Sequence, residues 1–363
     1  MKSRKLKIYA DRNYVPHGAG HVMMLFPFWG KGHPSNGRFA RYSEIGHSFF
    51  EMSSLDEADF CVLPVAWELV ADNSKALSLA HEFAQMAKSA GKKVVVFFWS
   101  DSDEEVPIEN ATVFRTSLYR SKRRTNEYAM PAWGEDFVTK YFGGHLPIYE
   151  KSVRPILGFC GFAYPMKTPL ERKLKTAVKR TAGLLGIEVG KSRGQVSLTH
   201  AARSQALRTL SESALLETNF IIRDGFLGGA RLADGREDPA LLKKAQGEYV
   251  ENMMQSNYVL CSRGAGNFSY RLYETLSCGR VPVFVDTDCV LPYDFAIDWR
   301  RYCVWVDESE ISMVAEKVVE FHERLSSREF VRLQHECREL WEQWLSPEGF
   351  FANLHRHFSD GWS

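Results

Sequence analysis

Short, wholly apolar runs alternate along this chain with stretches whose apolar residues recur every third or fourth position. That is the pattern of buried strands separated by helices. Residues 6–10, 60–65 and 93–99 read as buried strands, with a further one over 113–119. Between them 38–50 can be helical, and 74–90 carries Leu77, Ala80, Phe83, Ala84 and Ala87 on one stripe, closed by Gly91. A glycine-rich, aromatic loop follows the first strand, through His17-Gly-Ala-Gly-His21 and Phe26-Pro-Phe-Trp-Gly30. Strands alternating with helices predict a parallel sheet covered on both faces.

The second half repeats the alternation. Residues 143–164 hold Gly143, Gly144, Pro147, Pro155, Gly158 and Gly161, which predicts a hinge, with an apolar run that can open a second sheet. Helices are expected over 170–185 (basic), 203–216, 239–255 and 311–325, and strands over 219–222, 257–261, 281–285 and 302–306. Leu241, Leu242, Ala245, Tyr249, Met253 and Met254 form a stripe read as core, not as a ligand site. His322 falls on an apolar helix face, where a satisfied core or boundary histidine is the expected role. The last forty or so residues look helical, broken at Pro347.

The most informative segment is 257–286. A strand ends at Ser262-Arg263-Gly264, small residues follow through Gly266 and Ser269, and a short helix begins near Phe268 and stops at Gly279. A loop of small residues before a helix leaves backbone N–H groups at the positive end of the helix dipole. Arg263 and Arg271 add full charges suited to paired phosphate oxygens, so the segment reads as an anion site for a diphosphate. Glu274 lies one turn further along the same side. A carboxylate there needs a neutral partner with hydroxyls, which a ribose supplies; the same spacing also suits a solvated ion pair between Arg271 and Glu274.

Arg263-Gly264, Ser269, Arg271-Leu272, Glu274, Gly279 and Val281-Pro282-Val283, followed by Leu291-Pro292-Tyr293, resemble the hallmark segment of the exostosin-like glycosyltransferases. Two further stretches are similar more loosely, Ala58-Asp-Phe-Cys-Val-Leu-Pro64 and Arg154-Pro-Ile-Leu-Gly-Phe-Cys-Gly161. The resemblance implies a GT-B fold: two Rossmann-like domains facing a central cleft, with a C-terminal helix returning to the first. It also implies inverting transfer from a nucleotide-diphosphate sugar to a glycan acceptor, with no cofactor or metal at the donor. The expected domains are 1–150 on the acceptor side, 151–345 on the donor side, and a returning helix in 346–363. Donor contacts are expected from Arg223, Arg263, Gly264, Gly266, Ser269, Arg271 and Glu274; a surface arginine in a turn is the other reading of Arg223.

The base that takes the acceptor's proton should come from the first domain, across the cleft. Asp11 and His17 follow the first strand and Asp101 a later one, so these are the candidates, with His21, His33 and Glu127 behind them. Phe26, Phe28 and Trp29 can stack on an acceptor sugar, though core is the favoured role. The triplets Asp101-Ser-Asp103 and Asp286-Thr-Asp288 have metal-binding spacing, but both follow strands, where aspartates start turns.

Composition narrows the class. The chain has 363 residues, 45% hydrophobic and 25% charged, as expected of two ordinary globular domains. With 46 basic and 45 acidic residues the net charge is +1, so no nucleic-acid partner is expected. The 7 cysteines are scattered without a CxxC pair, against a zinc site or a disulfide framework. No run of about eighteen apolar residues is present, and the first residues lack the apolar core of a signal peptide. Animal exostosins are anchored in the Golgi membrane; this chain departs from that pattern, and a cytoplasmic role in bacterial polysaccharide or surface-glycan synthesis is expected. The basic stretch 115–124 reads as a solvated loop, with peripheral membrane association as its alternative. Nothing in the sequence fixes the oligomeric state. Two other classes fit the same donor segment: a nucleotide-sugar epimerase or hydrolase, and a non-catalytic subunit that binds donor and scaffolds a partner.

Overall fold

The computed structural model describes residues 4–30, 37–164, 198–223, 225, 230 and 238–358. The expected basic helix 170–185 and His33 lie outside them.

Two parallel sheets account for the buried apolar runs. The first has the order β2-β1-β3-β4-β5-β6, from β1 (Leu6–Tyr9), β2 (Phe50–Met52), β3 (Phe60–Val62), β4 (Val94–Phe98), β5 (Ala111–Arg115) and β6 (Glu127–Ala129). The second has the order β11-β10-β9-β7-β8, from β7 (Ile156–Phe162), β8 (Glu217–Arg223), β9 (Tyr258–Cys261), β10 (Val281–Asp286) and β11 (Val304–Asp307). Every ladder pairing in both is parallel. The helix Ser74–Ser89 crosses between β3 and β4; Asn73 caps it at Ala76 N (3.0 Å), and Ala80, Phe83 and Ala87 are its buried stripe. Helices Leu198–Glu212, Pro239–Met254 and Val314–Glu323 flank the second sheet's strands in sequence.

The C-terminal segment belongs to the first domain. Ser346 caps the helix Pro347–Asn353 through Gly349 N, and proline at the first helical position starts it after the break. Phe351 stacks on Tyr42 (ring centroids 4.3 Å) and meets Phe50, Phe97 and Trp133; Phe350 meets Phe114 and Phe358 meets Phe60. Two parallel Rossmann-like sheets and a returning C-terminal segment constitute the GT-B arrangement.

Several expectations are corrected. The helix expected over 38–50 ends at Ile45, and Phe50–Met52 forms an edge strand instead. Gly46 lies so close to Pro27 and Tyr42 that a Cβ would sit 2.4 Å from Pro27 Cγ, and Phe50 is drawn under Phe351. The strand expected over 113–119 spans Ala111–Arg115. Residues 116–119 leave the sheet for the second domain, where Tyr119 bridges Cys289 in antiparallel fashion. The hinge expected over 143–164 is mostly tied down. Pro147 O accepts from Arg280 (2.8 Å), Tyr149 exchanges bonds with Gln334, and Ser152 O meets His322 Nε2 (2.9 Å). Gly143 and Gly144, at φ 58° and 84°, keep the backbone freedom a bend requires. His322 has the satisfied role expected, with Tyr258 Oη on its other nitrogen (3.0 Å).

The basic stretch 115–124 is exposed at Arg120, Ser121, Lys122 and Arg124, as a solvated loop would be, and it also clasps the second domain. Arg115 is 1% exposed and paired with the equally buried Glu127 (2.8 Å). Arg120 reaches Asp286 (3.0 Å), Arg123 reaches Asp294 (2.6 Å), and Lys122 and Arg124 pair with Asp103 and Glu105. Each of its cations is engaged by a carboxylate, and two of those carboxylates belong to the second domain. All the cysteines are buried free thiols. Among the described residues no helix is long and apolar enough to cross a membrane.

Candidate functional site

The carboxyl ends of β4 and β5 and the segment after β6 face the loop that follows β9. Cys261 ends β9, Ser262 is fully buried, and the chain turns through Arg263–Ser269 into the helix Tyr270–Ser277. Arg203 braces this loop by donating to Phe162 O, Ser262 O and Arg263 O (3.2, 3.1 and 2.6 Å). Gly266 is where the first domain touches it. A Cβ there would lie 2.6 Å from Asp101 Oδ1 and 2.8 Å from Asp101 Cα, so only glycine lets the two domains meet. Asn267 pins the contact, taking Ser117 Oγ at its N–H (3.0 Å) and donating its amide to Leu118 O and Asp288 O.

Ser269 stands at the N-cap in extended conformation, but its hydroxyl makes no capping bond. The helix it precedes has a strong stop: Gly279 at φ 62° lets Arg280 N reach back to Thr275 O (3.0 Å). From the first turn Arg271 donates to Cys160 O (2.8 Å), with its guanidinium over Phe159 (4.4 Å) and Tyr249 (5.5 Å). Gly161 makes room for it, since a Cβ would sit 2.8 Å from Arg271 Nη2. One turn on, Glu274 Oε2 accepts from Tyr249 Oη (2.6 Å), and Oε1 lies against Gly134 of the first domain. Burial raises the Glu274 pKa; the Tyr249 bond and the charges of Arg271 and Arg38 oppose the shift. Arg271 and Glu274 therefore do not form the simple surface ion pair that their spacing allowed.

Arg38 enters from the other side. It donates to Trp133 O (3.1 Å), lies 5.9 Å over the Trp99 ring, and its field reaches Glu274 and Tyr270. Arg38, Arg203, Arg263 and Arg271 share one property: each has a buried Nε without a hydrogen-bond partner, and none has a carboxylate within 4.0 Å among the described residues. Burial and the nearby Arg271 charge push the Arg203 pKa down to about 10. His200, on the same helix as Arg203, has its pKa lowered by burial and then by Arg203 and Arg263, with Asp101 opposing. Uncompensated guanidinium groups packed this way are costly alone and favourable around a polyanion.

The expected donor residues Arg263, Gly264, Gly266, Ser269, Arg271 and Glu274 thus fall in one place. Arg223 does not join them as an open cation: it pairs with Glu248 (2.9 Å) and donates to Ala245 O. Arg203 holds the loop instead. Of the candidate bases, Asp11 caps Asn13 N (2.9 Å), His17 is exposed after β1, and Asp101 lies on Gly266. His21 meets Gly30 O (2.7 Å), and Glu127 is held by Arg115 and Arg124. Phe26 is core, as favoured. Asp286 and Asp288 are engaged by Arg120 and Ser121. Among the described residues no cluster suited to a metal ion occurs. Sequence reasoning missed Arg38, Arg203 and His200, which sit in no recognisable spacing, and assigned Tyr249 to the core because its helical stripe is otherwise apolar.

The family model described as "Exostosin GT47 domain" matches residues 200–320, which contain the loop, Arg203, Tyr249 and Glu274. Exostosin-1 of Drosophila melanogaster is 23% identical over 203 residues, 56% of this chain and 24% of that protein. A probable glucuronosyltransferase of Oryza sativa subsp. japonica is 40% identical over 63 residues, 17% of this chain and 14% of that one. A probable beta-1,4-xylosyltransferase of Arabidopsis thaliana is 38% identical over 63 residues, with 17% and 15% covered. The chain thus spans about a quarter or less of the length of these curated relatives. A glycosyltransferase structure from Rickettsia africae aligns over 98% of this chain and 99% of that one, at 10% identity and a TM-score of 0.36. Through residues 200–320 the chain is thus similar to the exostosin-like glycosyltransferases, and the match with these relatives covers part of its length.

Proposed function

We propose that this protein is an inverting glycosyltransferase that moves a sugar from a nucleotide-diphosphate sugar to a glycan acceptor, in the assembly of a polysaccharide or surface glycan. The observation that carries the reading is the set of arginines around the Arg263–Ser269 loop that meet no carboxylate among the described residues, with Glu274 one helical turn beyond. Arg203, Arg263 and Arg271, the uncapped helix start and the Ser269 hydroxyl would hold the diphosphate. Glu274, oriented by Tyr249, would accept from the ribose hydroxyls. The acceptor would lie against the first domain, where Trp99 donates its indole N–H to the 40% exposed Tyr270 (2.8 Å).

Transfer breaks the bond between the anomeric carbon and the diphosphate, and the leaving oxygens gain charge as it stretches. Fixed cations already in place stabilise that charge without reorganising. Since arginine meets the charge, no divalent ion is required in this reading. The test is thermal unfolding with UDP, GDP, CMP and dTDP, each in EDTA and in Mn²⁺. A nucleotide at a hundred times its dissociation constant adds about 2.7 kcal/mol, enough to raise the midpoint by a few degrees. Stabilisation by one nucleotide in EDTA is the expected result; indifference to all of them would remove the donor site.

A further inference from the structure

Transfer with inversion brings the acceptor hydroxyl to the face of the sugar opposite the leaving oxygen, so its base must stand away from the diphosphate. Asp101 is badly placed for that. Its carboxylate lies on Gly266, within the loop assigned to the diphosphate, where two like charges would oppose each other. Asp11 is committed to Asn13 N, and Glu127 to Arg115 and Arg124.

A different carboxylate occupies the same strand edge. Glu68 lies in the short turn Trp67–Leu69 that follows β3, and its Oε2 accepts from the N–H of Trp99 (3.0 Å), the residue just after β4. Trp99 in turn reaches Tyr270, the first residue of the helix that carries Arg271 and Glu274. One residue of backbone therefore separates Glu68 from the aromatic pair at the domain seam. Among the described residues its other oxygen, Oε1, accepts from no other residue, and the side chain is half-buried. Burial raises the Glu68 pKa to about 7, against the pull of its own backbone N–H and that of Trp99, and no charged side chain contributes to the shift. A base poised near neutral pH can take a proton in the transition state and lose it afterwards.

We infer that Glu68 is the general base of the transfer, an inference that rests on the transferase reading above. The acceptor oxygen bonds to the anomeric carbon as the carbon–phosphate oxygen bond breaks. The bonding pair leaves on the diphosphate, and the hydroxyl proton passes to Glu68 Oε1 and then to water.

Glu68→Gln tests this, because an amide oxygen still accepts from Trp99 N. Nucleotide release from UDP-glucuronic acid, UDP-xylose, UDP-N-acetylglucosamine and GDP-mannose would be measured with an oligosaccharide mixture as acceptor, alongside thermal stabilisation by the free nucleotide. With the best donor, kcat should fall by about a hundredfold or more. KM for the donor and the nucleotide-induced stabilisation should hold within threefold. Wild-type kcat should rise with pH through a midpoint near 7, and the residual rate of the variant should be flat there. Glu68→Asp, which restores a carboxylate, should recover part of the rate. A Gln variant within tenfold of wild type, or one that keeps the wild-type pH midpoint, overturns the assignment and leaves Glu68 as a clamp on Trp99. A wild-type protein that neither binds nucleotide nor releases it fails at the donor site, a result distinct from a loss confined to the variant.

Discussion

At the scale of single residues the proposed donor site is a balance of costs that a bound diphosphate would reverse. Arg271 gives one hydrogen bond to Cys160 O and carries a half-buried charge with no carboxylate on it among the described residues. Replacing it with methionine removes a stabilising term and a destabilising one, each of about 1–3 kcal/mol. The expected outcome for Arg271→Met is a free protein within about 1 kcal/mol of wild type by urea unfolding, with nucleotide affinity lower by tenfold or more, since a charge-assisted bond contributes about 1.5–3 kcal/mol. Equal losses in both would make Arg271 structural. Glu274 makes a second case. Its pKa is raised by burial, and only the ionised carboxylate can accept from two ribose hydroxyls. Nucleotide affinity should therefore fall as pH drops through that raised pKa, and Glu274→Gln should bind more weakly with a flatter pH profile by calorimetry. These two residues were legible because the hallmark spacing places both on one helix. Arg38 and Arg203 were not, because what sets them apart is that no carboxylate meets them among the described residues, and no spacing encodes that.

Elements were legible where burial on both sides makes an apolar run unambiguous. β4, β9 and β10 are such runs, and each strand lies within a residue of where the pattern puts it. β2 and β6 were missed because each is three residues long and held by distant groups: Phe50 by Phe351, and Glu127 by Arg115. The C-terminal segment has its own signature in pH. His357 sits among Phe114, Tyr128, Tyr293 and Phe295, 8% exposed and without a hydrogen-bond partner on either nitrogen, and burial lowers its pKa to about 3. A folded pKa below the unfolded one means the unfolded chain binds the extra proton between them. Stability is then full above about pH 6.5 and falls with acid by up to about 1.4 kcal/mol per pH unit for this group. His357→Phe should reduce that acid sensitivity in urea titrations between pH 7.5 and 5; an unchanged slope would locate the sensitivity elsewhere.

For the whole molecule, the sequence conveyed two sheets and a returning segment but not how firmly they are joined. The joining groups are far apart in the chain and each is unremarkable locally. At one end Asn267 ties Ser117 and Leu118 to Asp288, and Arg120 and Arg123 pair with Asp286 and Asp294. At the other, Arg338 forms a two-pronged pair with Asp136 (both contacts 2.8 Å) while donating to Ser277 O, and Trp133 donates to Leu345 O. Between them one continuous buried cluster runs from Phe97 and Phe351 to Leu157 and Val283. A hinge at Gly143-Gly144 could move the domains only by breaking these bonds together. Calorimetry should therefore show one cooperative unfolding transition for the intact chain. Asn267→Ala should weaken that coupling most, since it removes the amide's bonds to the Leu118 and Asp288 carbonyls and leaves the buried Thr287 hydroxyl without its acceptor, at about 1–3 kcal/mol. The expected signature is a broadened or split transition in which the first domain melts earlier and nucleotide protects only the second. A single sharp transition shifted downward would mean instead that the apolar cluster alone carries the cooperativity, with the polar ties setting only the alignment of Asp101, Gly266 and the donor loop.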